Sequence, residues 1–213
     1  MNIPVLLAAV LSLFSYPSQP PRAQVPVAPA PLSGDYVEAR TESVFAGPCH
    51  VNGEVMIGGR DAIMAWQFNS GVRVMAVVSS DANLSEPSAV RRSEIVIDNS
   101  ATRAQADAAM AAILAHDGSA LGKIVSVRHG VVSFHHADRE YEVESPGFAA
   151  MDVQGMPNDE CCKQPNLVWF SPMAHLTSRK VGYTVNAEYS AGTLADSWQR
   201  GDENSAFYGP FAY

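Results

Sequence analysis

Three cysteines carry most of the chemistry open to this chain: Cys49, Cys161 and Cys162. A thiolate is a nucleophile, a soft metal ligand and one half of a disulfide. An odd number leaves one thiol over when the others pair. Cys161 and Cys162 are neighbours, and Cα atoms across one trans peptide stand only about 3.8 Å apart, too close for an ordinary bridge. The disulfide reading is therefore Cys49 bonded to Cys161 or Cys162, closing a long loop worth roughly 4–5 kcal/mol in the chain-entropy account. The metal reading places the same thiolates on Cu(I) or Zn(II), helped by His50, Met156 or His175. Met and Cys together favour Cu(I). No C-x-x-C or C-x-x-x-H spacing selects between the two.

The remaining chemistry-bearing residues have plainer readings. His135 and His136 are adjacent, and successive strand residues point to opposite faces, so a single metal ion takes both only if a turn reorients them. His116 reads as a residue at the C-terminal end of a helix, complementing its dipole, and His129 beside Gly130 as a turn residue. Glu38, Glu42 and Glu54 can face one another across strands, although alternate carboxylates are usually solvated. Trp66, Trp169 and Trp198 suit either a small-molecule cleft or a sheet core. No G-x-S-x-G nucleophile elbow is present, and Gly58-Gly59-Arg60 lacks the phosphate-loop pattern.

What must position these residues reads mostly as strand. Ala62–Phe68 and Val72–Ser79 are apolar enough to be central strands, and Tyr141 and Val143 alternate with Glu140, Glu142 and Glu144. Val181, Tyr183, Val185, Ala187 and Tyr189 form a second alternating set. Lys123–Arg128 and Val131–His135, on either side of Gly130, predict a hairpin or bulged pair. One helix is expected over Ala101–Ala115, capped by Asn99 or Ser100, with Ala106, Met110, Ile113 and Leu114 on its packed face and Gly118 and Gly122 beyond its end. These elements predict an α+β domain, a mostly antiparallel β-sheet with one principal helix packed on a face.

The N-terminus reads as an export address. Ile3 to Phe14 is apolar apart from Ser12, too short to span a bilayer and of the length of a signal peptide's centre. Cleavage after Ala23 is the expectation, with an uncleaved anchor as the rival. Six prolines follow between Pro17 and Pro31, a composition that favours extended chain. The organisation is thus a signal peptide over 1–23, a Pro-rich disordered leader over 24–33 and one globular domain over 34–213, in the periplasm or secreted. The net charge is −8, and Arg22 is the only charge in the first 34 residues. That sign repels phosphate backbones and anionic lipid, so nucleic acid is not an expected partner, metal ions are, and no integral membrane segment is expected after signal removal.

Longer stretches resemble a known family. Gly34-Asp35-Tyr36-Val37-Glu38-Ala39-Arg40, Val44-Phe45-Ala46-Gly47-Pro48-Cys49-His50, the run from Cys161 to Phe170, Lys180–Ala187 and Glu203–Gly209 look like the bacterial domain of unknown function 1326 family, over roughly Gly34 to Tyr213. The resemblance implies a bacterial protein without an established activity. Many relatives carry a cluster of the form E-A-C-N-C-D…C-P-C. Here Arg40 and Glu42 stand where its first two cysteines fall and Gly47 where the next does, so only Cys49 matches.

Three function classes follow. First comes an exported binding protein holding a soft metal ion, Cu(I) or Zn(II), through Cys49, Cys161, Cys162 and His50. Second is a disulfide-stabilised structural or interaction domain using the same cysteines. An enzyme using a thiolate or carboxylates ranks third, because no base–nucleophile spacing is visible.

Overall fold

Ala-Ile-Met-Ala-Trp and Val-Met-Ala-Val-Val run without a polar interruption, so strands built from them need cover on both faces. The structure, a computed structural model, describes residues 32–46, 58–156 and 167–213. In chain order the elements are β1 (Ser33–Arg40), β2 (Phe45–Ala46), β3 (Asp61–Phe68), β4 (Arg73–Ser80), β5 (Arg91–Asp98), α1 (Arg103–Leu121), β6 (Lys123–Gly130), β7 (Ser133–Ala137), β8 (Glu140–Ser145), β9 (Ala149–Gly155), β10 (Leu167–Val168), β11 (Lys180–Tyr189) and β12 (Trp198–Ala212). Ten strands form one sheet in the order β6-β5-β4-β3-β1-β12-β11-β9-β8-β7, and β2 and β10 form a separate pair.

Every neighbouring pair is antiparallel except β5 and β6. Those two are parallel because α1 carries the chain back between them. β6 and β7 lie at opposite ends of the strand order, yet only Val131 and Val132 separate them in sequence. A link that short spans about 10 Å, so the two edges must approach each other there. The sheet meets this by curling into a half-barrel. Asp98 of β5 latches the link: its Oδ2 accepts the Val132 amide at 2.8 Å. Arg128 of β6 lies 4.6 Å from the ring centre of Phe148, in the β8–β9 turn.

The curl gives the sheet two cores. Val37, Ile63 and Met75 meet Phe134, Val143, Met151 and Tyr189 in one buried cluster that joins opposite walls. On the other face Tyr36, Met64, Trp66, Phe68 and Ile95 pack with Ala106, Ala109, Ile113 and Leu121 of α1. Side chains of this size contribute about 1.5–3 kcal/mol each when fully buried. β1 lies between the two cores and is buried from Tyr36 to Arg40.

The expected α+β class is corrected by this architecture. Strands hold 54% of the described residues and the single helix 12%, so the protein is mostly β. The alanine-rich helix was easy to read, whereas β1, β5 and β12 carry Asp, Glu, Arg, Gly or Pro that lower strand propensity. The helix itself begins and ends later than expected. Thr102 is its N-cap, in a capping box with Gln105, and Gly122 its C-cap at φ 62°. Gly118 is therefore helical, and Leu114 faces solvent. β6 and β7 do not pair with each other, because the parallel crossover claims β6. In β11 the ladder to β9 slips between Thr184 and Asn186, so Gly182 and Thr184 are buried before the slip and Ala187 and Tyr189 after it. The bulge exposes Val185 and breaks the single expected face.

Candidate functional site

Cys49, His50, Cys161, Cys162 and Glu54 lie outside the described residues. The residues that bound their segments are described, and they converge on one corner. Period-two alternation puts Tyr36, Glu38 and Arg40 of β1 on one face. Arg40 donates from Nε to Glu38 Oε1 at 2.7 Å and from Nη1 to Glu42 Oε1 at 3.2 Å. All three side chains are almost wholly buried. The Tyr36 hydroxyl donates to Glu38 Oε2 at 2.5 Å, and Ser85 Oγ to Glu42 Oε1 at 3.2 Å.

The charges in this array depend on one another. Burial pushes the Tyr36 hydroxyl well above its ordinary range, and Glu38 adds to the shift. Burial works against the Arg40 cation, but Glu38 and Glu42 outweigh it and raise its pKa. Burial also raises the Glu42 carboxyl, against the opposing pull of Arg40, Ser85 and Asn83.

The array ties down the chain on both sides of the cysteine-bearing segments. Phe45 and Ala46 of β2 pair with Val168 and Leu167 of β10, and the Trp169 amide donates to Val44 O at 2.9 Å. Arg40 Nη2 donates to Ser171 O at 2.5 Å, and the Met173 amide to Glu38 Oε2 at 2.8 Å. Val44, Phe45 and Phe207 form a small core against which Met156, Val168 and Phe170 pack. The chain re-enters at Gly59, where a Cβ would stand 2.5 Å from the Glu42 Cβ. Thr41 Oγ1 accepts the Arg60 and Asp61 amides, both at 3.1 Å. Ala46 and Gly58 bound one cysteine segment; Met156 and Leu167 bound the other.

A second polar centre lies on α1. Asp117 is fully buried and accepts four donors: the His175 amide at 2.9 Å, Trp66 Nε1 at 3.3 Å, the Tyr213 hydroxyl, and His175 Nδ1 at 3.0 Å when that nitrogen carries the proton. Burial first, and then the bond to Asp117, push the Tyr213 hydroxyl far above its ordinary range. Asp117 thereby fixes the loop 171–176 and leaves most of the His175 ring in solvent.

The other sequence candidates separate. Met156 reaches the β2–β10 corner, whereas His175 is engaged by Asp117. His136 stacks on Tyr141 at 4.1 Å and sits 3.5 Å from Asp35, while His135 faces a shallow groove with Glu142 and Asp152. His116 lies inside the helix and stacks on Tyr213, and His129 is a strand residue of β6 rather than part of a turn. Trp66 is core; Trp169 lines a cleft beside Arg40 and Arg91. Among the described residues no group of three or more His, Cys, Asp or Glu side chains could hold a metal ion. No described helix is long and apolar enough to cross a membrane.

Sequence reasoning missed Arg40, Arg91 and Asp117. Asp117 had a signal: it follows Ile113 by four positions on the buried face of α1. Arg40 had a weaker one, in the alternation of Glu38, Arg40 and Glu42 at and just past the end of β1. Arg91 had none. Compared with known proteins, the chain matches no family model, and no curated protein or solved structure matches it either.

Proposed function

We propose that the protein is an exported binding protein that holds a soft metal ion, Cu(I) or Zn(II), through Cys49 with Cys161 or Cys162, His50 adding a nitrogen ligand. The observation that carries this reading is the convergence of the four chain ends on the corner formed by Thr41–Ala46, Met156 and Leu167. Cys49 is three residues past Ala46, a reach of about 10 Å at most. Cys161 is five residues past Met156 and Cys162 five before Leu167, each a reach of about 17 Å. Thiols tethered so near a common base can meet without rearranging the sheet. Thiolate ligands suit both metals, and Met156 at the same corner offers a thioether suited to Cu(I).

The apolar run from Ile3 to Phe14 supports export to the periplasm or beyond, where thiols meet either metal or oxidant. Membership of the domain of unknown function 1326 family belongs to the same reading. On that resemblance, two positions that hold cysteines in many relatives carry Arg40 and Glu42 here. Their side chains form a buried ion pair, which leaves Cys49 dependent on Cys161 and Cys162.

The same convergence serves a disulfide between Cys49 and Cys161 or Cys162, and one measurement separates the two. Protein purified from an oxidising compartment is denatured, its free thiols are counted, and bound copper and zinc are determined. Three thiols with stoichiometric metal support the metal site. One thiol without metal establishes the disulfide instead. Three thiols without metal, under conditions that supply both ions, defeat both readings.

A further inference from the structure

The cleft beside the buried array is lined by two guanidiniums, Arg40 and Arg91, together with Ser85, Ser119, Trp169 and Phe170, and has a volume of about 400 Å³. Among the described residues no carboxylate lines it; Glu38 and Glu42 pair with Arg40 and neutralise that charge. Among the described residues Arg91 has no such partner. Its acceptors among the described residues are the main-chain carbonyls of Leu84, Glu86 and Ser119. These occupy three of the five guanidinium N–H groups. The Nε–H is buried and meets no acceptor among the described residues.

A structural brace between the end of α1 and the 84–86 turn accounts for the three carbonyl contacts. It does not account for a second cation placed where burial and Arg40 both oppose its charge. A buried, unanswered donor on a charged group is costly unless something accepts from it. Trp169 and Phe170 add flat apolar surface to the same cleft, the usual partner of a few fixed polar groups in a small-molecule site.

We infer that this cleft binds a small organic carboxylate with a flat apolar body, its carboxylate taken by Arg91 and its body lying against Trp169 and Phe170. Guanidinium–carboxylate hydrogen bonds are among the stronger and more directional ones available. The site uses no cysteine and stands or falls apart from the metal reading.

Benzoate is the probe and benzamide, its neutral near-isostere, the control, each titrated calorimetrically into the mature protein. Benzoate should give saturable heat with a Kd in the high-micromolar to millimolar range, as suits so small a ligand. Benzamide should bind at least about tenfold more weakly, as should benzoate to Arg91→Gln. Trp169→Ala, whose side chain is only half-buried, should weaken benzoate and keep the native melting profile. If Arg91→Gln fails to fold, the benzoate–benzamide pair and Trp169→Ala decide. Equal affinity for the two probes, no saturable heat at millimolar benzoate, or binding untouched by Trp169→Ala would each overturn the assignment.

Discussion

Replacing Arg40 with Met tests whether the buried array is what holds the corner of the cysteine segments together. Met keeps most of the apolar stem but removes the cation from a site where Arg40 is 2% exposed and both carboxylates are fully buried. Breaking a buried ion pair by deleting one partner typically costs 3–5 kcal/mol, because a charge is left without its counter-charge. Here Glu38 keeps the Tyr36 hydroxyl and the Met173 amide, and Glu42 keeps Ser85. The expected loss is therefore at the lower end, about 3 kcal/mol, read from urea unfolding with metal and redox conditions held constant. Burial raises the Glu42 carboxyl and Arg40 opposes that rise, so without Arg40 it stands further above its unfolded value. Stability from such a group is present below its unfolded pKa and lost as pH rises through the folded one, so the deficit should shrink as pH falls from neutrality into the acid range. The triple variant Glu38→Gln, Arg40→Met, Glu42→Gln should recover much of the loss, since removing all the charges relieves the desolvation cost. A loss below about 1 kcal/mol, a deficit unchanged by acid, or a triple variant no better than the single one would refute this account.

Two further outcomes follow from the curl of the sheet and the end of the helix. Burial works to raise the Asp98 carboxyl, but Ser100, the Val132 amide and Arg73 together hold it below its ordinary value. A depressed carboxyl contributes stability above its unfolded pKa and loses it as pH falls through the folded one. Asp98→Asn should therefore cost about 1–3 kcal/mol near neutrality and progressively less in acid, and a difference constant with pH would sink the latch. At Gly122, φ is 62° and an added Cβ would stand 2.3 Å from the Arg91 carbonyl oxygen. Gly122→Ala should lower stability by about 1–3 kcal/mol in thermal or urea unfolding, and a neutral result would show that the helix end can shift.

How much of this was legible depends on whether the cause was local. β3, β4 and the alternation of Tyr141 and Val143 with the glutamates around them follow from hydrophobic pattern alone. The pairing of β6 with β5 rather than β7 does not, because a two-residue link usually means a hairpin and only the closure of the whole sheet forbids one here. The bulge in β11 is similar: Val185 alternates correctly in sequence, and a one-residue slip in the ladder to β9 puts it on the other face. The candidate site divides along the same line. Cysteines at 49, 161 and 162 are conspicuous at once, and their need for a common meeting place was a logical demand rather than a pattern. The supporting contacts span far greater distances along the chain: Arg40 to Ser171, Glu38 to Met173, Phe45 to Val168. No window of sequence contains both partners of such a contact. A stretch that alternates Glu, Arg and Glu is ordinary on a surface, and becomes a structural anchor only because it is buried between packed parts of the fold.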